Sequence, residues 1–98
     1  MKIVKTGAAG TLESSDVMIT VRSNGSNGIE IDLNSIVEKQ FGKQIHAVVK
    51  KTLADLQVED ALIGVQDKGA LDCAIEARLI TAVYRAAGIE QVNWEALS

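Results

Sequence analysis

From Asp16 onward the chain alternates: Val17, Ile19 and Val21 point one way while Met18, Thr20 and Arg22 point the other, the two-residue period of a strand with one buried face. Ser23-Asn24-Gly25-Ser26-Asn27-Gly28 follows, and its two Asn-Gly pairs suit positive φ and predict a flexible hairpin loop. Ile29, Ile31 and Leu33, alternating with Glu30 and Asp32, give the return strand. The period then changes. Ser35-x-x-Glu38 fits a capping box, and Val37, Phe41, Ile45, Val48, Thr52 and Leu56 recur at helical spacing, which predicts a long amphipathic helix. Gly42 inside it is a candidate break, since glycine is a poor helix former. Ala61-Leu62-Ile63-Gly64-Val65 is a nearly continuous apolar run, the mark of a central or helix-covered strand buried on both faces. Asp67-Lys68-Gly69 turns the chain into a second helix, Ala70 to Ala87, with Gly88 at the C′ position. Residues 1–15 show no clean period and read as an extended arm or loop.

The expected order is therefore β-β-α-β-α. It predicts an α+β two-layer sandwich, in which a small mixed sheet carries two helices on one face. Strand two, the first helix and strand three form a β-α-β unit with a right-handed crossover if the two strands are parallel. Met18, Thr20, Arg22, Glu30 and Asp32 make the other face wet, unless the N-terminal arm crosses it. The 98 residues fit one domain, divided into an arm (1–15), a core (16–88) and a tail (89–98). On the second helix a wide stripe (Leu71, Ile75, Leu79, Ala82, Val83, Ala86) should face the core, and Arg78, Thr81 and Arg85 lie almost opposite Asp72 and Glu76. A second stripe, Cys73, Ala77, Ile80 and Tyr84, packs against the chain's own ends or serves as a docking surface.

Composition narrows the chemistry. His46 and Cys73 are the only residues of their types, and Phe41, Tyr84 and Trp94 are the only aromatics; a multi-histidine or multi-cysteine metal site, a CxxC pair and a disulfide framework are excluded. A net charge of −3 with few aromatics argues against nucleic acid, and no apolar run approaches a membrane span or a signal h-region. The chain reads as soluble and cytoplasmic. No GxxxxGK[ST] or GxGxxG loop is present. His46 reads as a solvated helix residue and Cys73 as a packing residue, and Glu30 and Asp32 as solvated strand carboxylates. What remains is Gly10-Thr11-Leu12-Glu13-Ser14-Ser15-Asp16, two serines between two carboxylates. A loop serine without a base is a weak nucleophile, but it can accept a phosphate-linked group when another enzyme supplies base and metal. A mobile small-residue arm suits that role.

The blocks Ala9-Gly10-Thr11-Leu12-Glu13-Ser14-Ser15-Asp16-Val17-Met18-Ile19, Val37-Glu38-Lys39-Gln40-Phe41-Gly42 and Asp67-Lys68-Gly69-Ala70-Leu71-Asp72-Cys73, the last running on through Ala77-Arg78-Leu79, together with Trp94-Glu95 in the tail, resemble the citrate lyase acyl carrier proteins. The resemblance implies that the serine of the Glu-Ser-x-Asp motif, here Ser14 with Ser15 beside it at a variable position, carries a phosphoribosyl-dephospho-coenzyme A group through a phosphodiester. That group derives from triphosphoribosyl-dephospho-CoA and would be installed by a prosthetic-group transferase. The resemblance further implies a non-catalytic subunit whose acetyl and citryl thioesters pass between an alpha (transferase) and a beta (lyase) subunit as citrate is cleaved to acetate and oxaloacetate. Glu13 and Asp16 would steer the acyl arm toward basic pockets. The helical acyl carriers with an Asp-Ser-Leu motif are not matched, and the β-rich front half disagrees with a four-helix bundle. The alternatives are the acyl carrier subunit of malonate decarboxylase, with the same kind of group, and a small α+β regulatory or ligand-binding module.

Overall fold

A computed structural model describes residues 1–89; the expected tail from 90 onward, with Trp94, lies outside the described residues. Six elements follow one another: β1 (Gly7–Gly10), β2 (Val17–Arg22), β3 (Ile29–Ser35), α1 (Glu38–Asp55), β4 (Ala61–Asp67) and α2 (Asp72–Ala86). The sheet order is β1-β2-β4-β3, so the last strand in sequence lies between β2 and β3. It pairs antiparallel with β2 (Ile19 opposite Val65) and parallel with β3 (Ile31 opposite Ile63). Both helices pack on one face, α2 over β1 and β2 and α1 beside α2 over β3. The α+β sandwich with a mixed sheet and two helices is as the sequence predicts.

Several expectations change. The arm 1–15 contains β1, an edge strand antiparallel to β2. Its sequence, Gly-Ala-Ala-Gly, has almost no side chains with which to show a period. The rest of the arm does not cross the wet face: Ile3 joins the core, and the Val4 and Lys5 N–H groups donate to the Ala86 carbonyl at 2.9 and 3.0 Å. Residues 23–28 are not a hairpin loop between paired strands. They bridge over the start of β4, about 10 Å across two strand spacings, and wrap Asp60, whose carboxylate accepts from the Asn24 and Gly28 N–H groups and the Ser23 hydroxyl.

Packing follows the alternation. Val17, Ile19 and Val21 of β2 and Ala61, Ile63 and Val65 of β4 are buried beneath the helices, with Ile45, Val49, Leu53, Ile75, Leu79 and Val83 above them. On the open face Thr20, Arg22, Glu30 and Asp32 are exposed and Met18 is half-buried. β4 is central, yet among the described residues the helices cover only one of its faces; Leu62 and Gly64 are half-buried on the other. The helices depart from the simple stripes at their first turns. The α1 N-cap is Val37, without a side-chain cap hydrogen bond; Ser35 lies two residues earlier at the end of β3, where its hydroxyl donates to Asp67 Oδ2 at 2.8 Å and accepts from the Val37 N–H at 3.1 Å, so it is not the N-cap the sequence predicts. Phe41 is 47% exposed, Gly42 does not interrupt α1, and Leu71 is 74% exposed because it precedes α2 in extended conformation, outside the helical phase. Ile80 and Tyr84 of the second stripe are buried in the core while Cys73 and Ala77 are exposed, so the C-terminal half of that stripe is used internally. Gly88, φ +78°, ends α2 as expected, with the Ile89 N–H bonded back to the Tyr84 carbonyl at 2.8 Å.

Gly7 allows β1 to lie directly against α2, because a Cβ there would meet the backbone of Ala82 and Ala86. Gly7→Ala should cost about 1–3 kcal/mol through overpacking. Urea unfolding reads this as a lowered midpoint, and an unchanged midpoint would contradict the close β1–α2 contact.

Candidate functional site

The loop between β1 and β2 carries the two serines, and each of its ends is tied. Gly10, at φ +100° and with no room for a Cβ beside the Val17 carbonyl, lets the chain leave β1. The Thr11 N–H then donates to the Val17 carbonyl at 3.2 Å and closes the base. Above it, the Asp16 N–H donates to the Glu13 carbonyl at 3.1 Å, which makes Glu13-Ser14-Ser15-Asp16 a β-turn. Ser15, the third residue, has φ +66°, the left-handed region usually given to Gly or Asn. The turn is also fastened to the chain that follows β4: the Ser15 N–H donates to the Lys68 carbonyl at 2.8 Å and the Lys68 N–H to the Asp16 carbonyl at 2.9 Å. The expected mobile arm is thus a short hydrogen-bonded turn. Ser14 is its second residue, exposed, and its hydroxyl bonds to no described residue.

Asp16 organises the turn's base. Its Oδ2 accepts from the Thr11 hydroxyl at 2.6 Å and from Arg78 Nη2 at 3.1 Å, and its Oδ1 accepts from the Val17 N–H at 2.8 Å and Arg78 Nε at 3.3 Å. The Thr11 bond first, then the Val17 N–H and the Arg78 guanidinium, hold the carboxyl at about 2, below its ordinary 3.8, against an opposing effect of burial. A carboxylate so well satisfied is a poor base for Ser14. Arg78 compensates the charge of Asp16, whereas the exposed Glu13 carboxylate has no partner among the described residues. Arg78 and Arg85 share one edge of α2, and Arg85 Nη1 donates to the Ala8 carbonyl at 2.7 Å. Of the two, Arg78 reaches the serine turn, whereas Arg85 reaches the backbone of β1 away from it.

Sequence reasoning placed Ser14 and Ser15 correctly in a loop but missed Thr11, Lys68 and Arg78 as its supports. The helical spacing of Arg78, Thr81 and Arg85 was the available signal. The other candidates lie elsewhere: His46 lines a shallow groove between α1 and β3 with Ile29, Ile31 and Lys50, Cys73 is exposed at the start of α2, and Glu30 and Asp32 are exposed on β3. Among the described residues no group of three His, Cys, Asp or Glu side chains could hold a metal ion, and no helix is long and apolar enough to cross a membrane.

Residues 4–86 match an acyl carrier family described as malonate decarboxylase delta subunit (MdcD). Over 95 residues, 97% of this chain and 93% of the relative, the chain is 57% identical to the citrate lyase acyl carrier protein of Streptococcus equi subsp. zooepidemicus. The chain belongs to the citrate lyase acyl carrier protein family. The carrier of the same name from Streptococcus uberis is 56% identical over the same extent. Among solved structures, one of a Pseudomonas malonate decarboxylase hetero-tetramer in complex with malonate contains a chain of the same fold, with a TM-score of 0.61, 18% identity and 84% of each chain covered. The β-rich sandwich of this chain therefore also occurs in a solved structure, and it is not a four-helix bundle.

Because Asp16 has a depressed pKa, its contribution to stability is present above the ordinary value of 3.8 and is lost as pH falls through about 2. Carboxyl NMR should find its midpoint near 2, and Thr11→Val should move that midpoint up. A midpoint at the ordinary value in both proteins would contradict the hydrogen-bonded base of the turn.

Proposed function

We propose that this chain is the acyl carrier subunit of citrate lyase and that Ser14 is the residue bearing its prosthetic group. The observation that carries the assignment to Ser14 is its position: an exposed hydroxyl free of described partners at the second position of a turn in which Ser15 and Asp16 are tied to Lys68 after β4 and Asp16 also to Arg78 of α2. Such a hydroxyl fits a covalent phosphodiester, since attachment disturbs no contact. Ser15 is exposed as well, but its backbone is held by Lys68 in a left-handed conformation, which makes it the member that shapes the turn. The group is phosphoribosyl-dephospho-coenzyme A, and when bound it supplies a thiol on a long arm that carries acyl groups as thioesters. Loading follows from the chemistry of a triphosphoribosyl donor. Ser14 Oγ gives its proton to a base of the prosthetic-group transferase and forms a bond to phosphorus, while the phosphoanhydride bond breaks and pyrophosphate leaves with the electron pair. The partners are the alpha (transferase) and beta (lyase) subunits, in the cytoplasm. Tethering the arm to one rigid turn replaces a bimolecular encounter by an intramolecular one at high effective concentration.

This carrier role is favoured over a malonate decarboxylase carrier by the identity of 54–57% to proteins named for citrate lyase, and over a regulatory module by family membership. Ser14→Ala should abolish both loading and citrate cleavage in the reconstituted complex. Ser15→Gly, which suits the positive φ, should be loaded normally and gain about 0.5–1 kcal/mol of stability. Citrate cleavage by the Ser14→Ala complex would overturn the assignment.

A further inference from the structure

We propose that Arg78 is a positioning residue for loading: from α2 it grips Asp16 and so holds the Glu13–Asp16 turn with Ser14 Oγ at a fixed orientation toward the incoming phosphorus. The proposal rests on the reading of Ser14 as the attachment residue. The supports of the turn are of three kinds, one of which, the exchange of two backbone hydrogen bonds between Lys68 and the pair Ser15 and Asp16, ties the backbone to the end of β4 and leaves the Asp16 side chain to the other two. Thr11 and Val17 bind Asp16 from within the β1–β2 ribbon and would move with it if the ribbon flexed. Arg78 approaches from a helix 62 positions away in sequence and refers the turn to the rigid core, where Ile75, Leu79 and Val83 of the same helix are fully buried.

The geometry of the grip suits orientation better than stability. The Arg78 side chain is 44% exposed and that of Asp16 18%, and half-exposed ion pairs contribute little to folding. Nε and Nη2 each donate to a different oxygen of the carboxylate, a two-point contact that fixes the plane of the group in a way a lysine ammonium cannot. Attack of Ser14 Oγ on phosphorus, with its proton passing to the transferase and pyrophosphate departing, depends on how well that oxygen is aligned, so a small displacement of the turn reaches the rate. Arg85, on the same edge of α2, donates to the Ala8 carbonyl at the far side of the ribbon. It provides a matched control that is remote from the turn.

The test is loading of the unmodified full chain by the prosthetic-group transferase with its triphosphoribosyl donor, followed by intact mass with the adduct mapped to a residue. Arg78→Ala should lower kcat at least about tenfold while KM for the carrier stays within about twofold, and its thermal midpoint should stay close to that of the wild type. Arg78→Lys should recover only part of the loss, Arg85→Ala should load at the wild-type rate, and combining Asp16→Asn with Arg78→Ala should be no slower than the slower single variant. Loading of Arg78→Ala at the wild-type kcat, a loss confined to KM, or additive losses in the double variant would each overturn the proposal. If Arg78→Ala does not fold, Arg78→Lys and Arg78→Gln serve for the same comparison. Wild-type loading at a residue other than Ser14 would refute the Ser14 reading as well, whereas normal loading at Ser14 with an indifferent Arg78 refutes this proposal alone.

Discussion

Asp67 and Lys68, at the C-terminal end of the central strand β4, are the point through which the upper end of the molecule is held together. The Asp67 carboxylate is buried, and it accepts from the Ser35 hydroxyl at 2.8 Å and the Ala70 N–H at 2.9 Å; its carbonyl accepts from Ile36 at 3.3 Å. One residue later, Lys68 exchanges two backbone hydrogen bonds with Ser15 and Asp16. The end of β3, the entry to α2 and the serine turn are thereby referenced to one strand end. A buried carboxylate is tolerated there because its oxygens are satisfied by a hydroxyl and an amide N–H. If β4 were an edge strand, it could not reach both neighbours, and the turn would keep only its own ribbon and Arg78 of α2 as supports.

The chain's poverty in reactive side chains becomes intelligible in that setting. With one histidine, one cysteine and three aromatics, it has little with which to perform chemistry, and a carrier requires little. Its contribution is mechanical: one hydroxyl of a common residue type on a small, well-referenced platform, while the proposed group brings the reactive sulfur. Because the carboxylate beside the turn is consumed in structural bonds, Ser14 has no base of its own in Asp16. On the proposed reading that base comes from the modifying enzyme.

The parts of this arrangement that the sequence made legible are those encoded in local periodicity. Val17, Ile19 and Val21, the return strand 29–33, the two helices and the Gly88 cap all follow from side-chain spacing, and the three motif blocks identified the family. What stayed hidden depends on partners distant in sequence or on residues without side chains. Gly7-Ala8-Ala9-Gly10 has nothing to alternate, so β1 was read as arm. The insertion of β4 between β2 and β3 is a choice among long-range pairings that the Asn-Gly loop cannot register. Ser35 has the spacing of a helix cap but lies at the end of β3, two residues before the Val37 N-cap, and Leu71 has the spacing of a core residue but precedes its helix by one position. Asp16 and Arg78 stand 62 residues apart, so their pairing had no local signature.

On the proposed reading, a single serine of the β1–β2 turn bears the cofactor through which this chain works. Intact mass of the protein purified from its native host, followed by fragmentation of the peptide containing residues 13–16, tests it most directly. The account predicts one adduct of the mass of phosphoribosyl-dephospho-coenzyme A, localised to Ser14. An active complex containing the unmodified chain, or an adduct localised to any other residue, would contradict it.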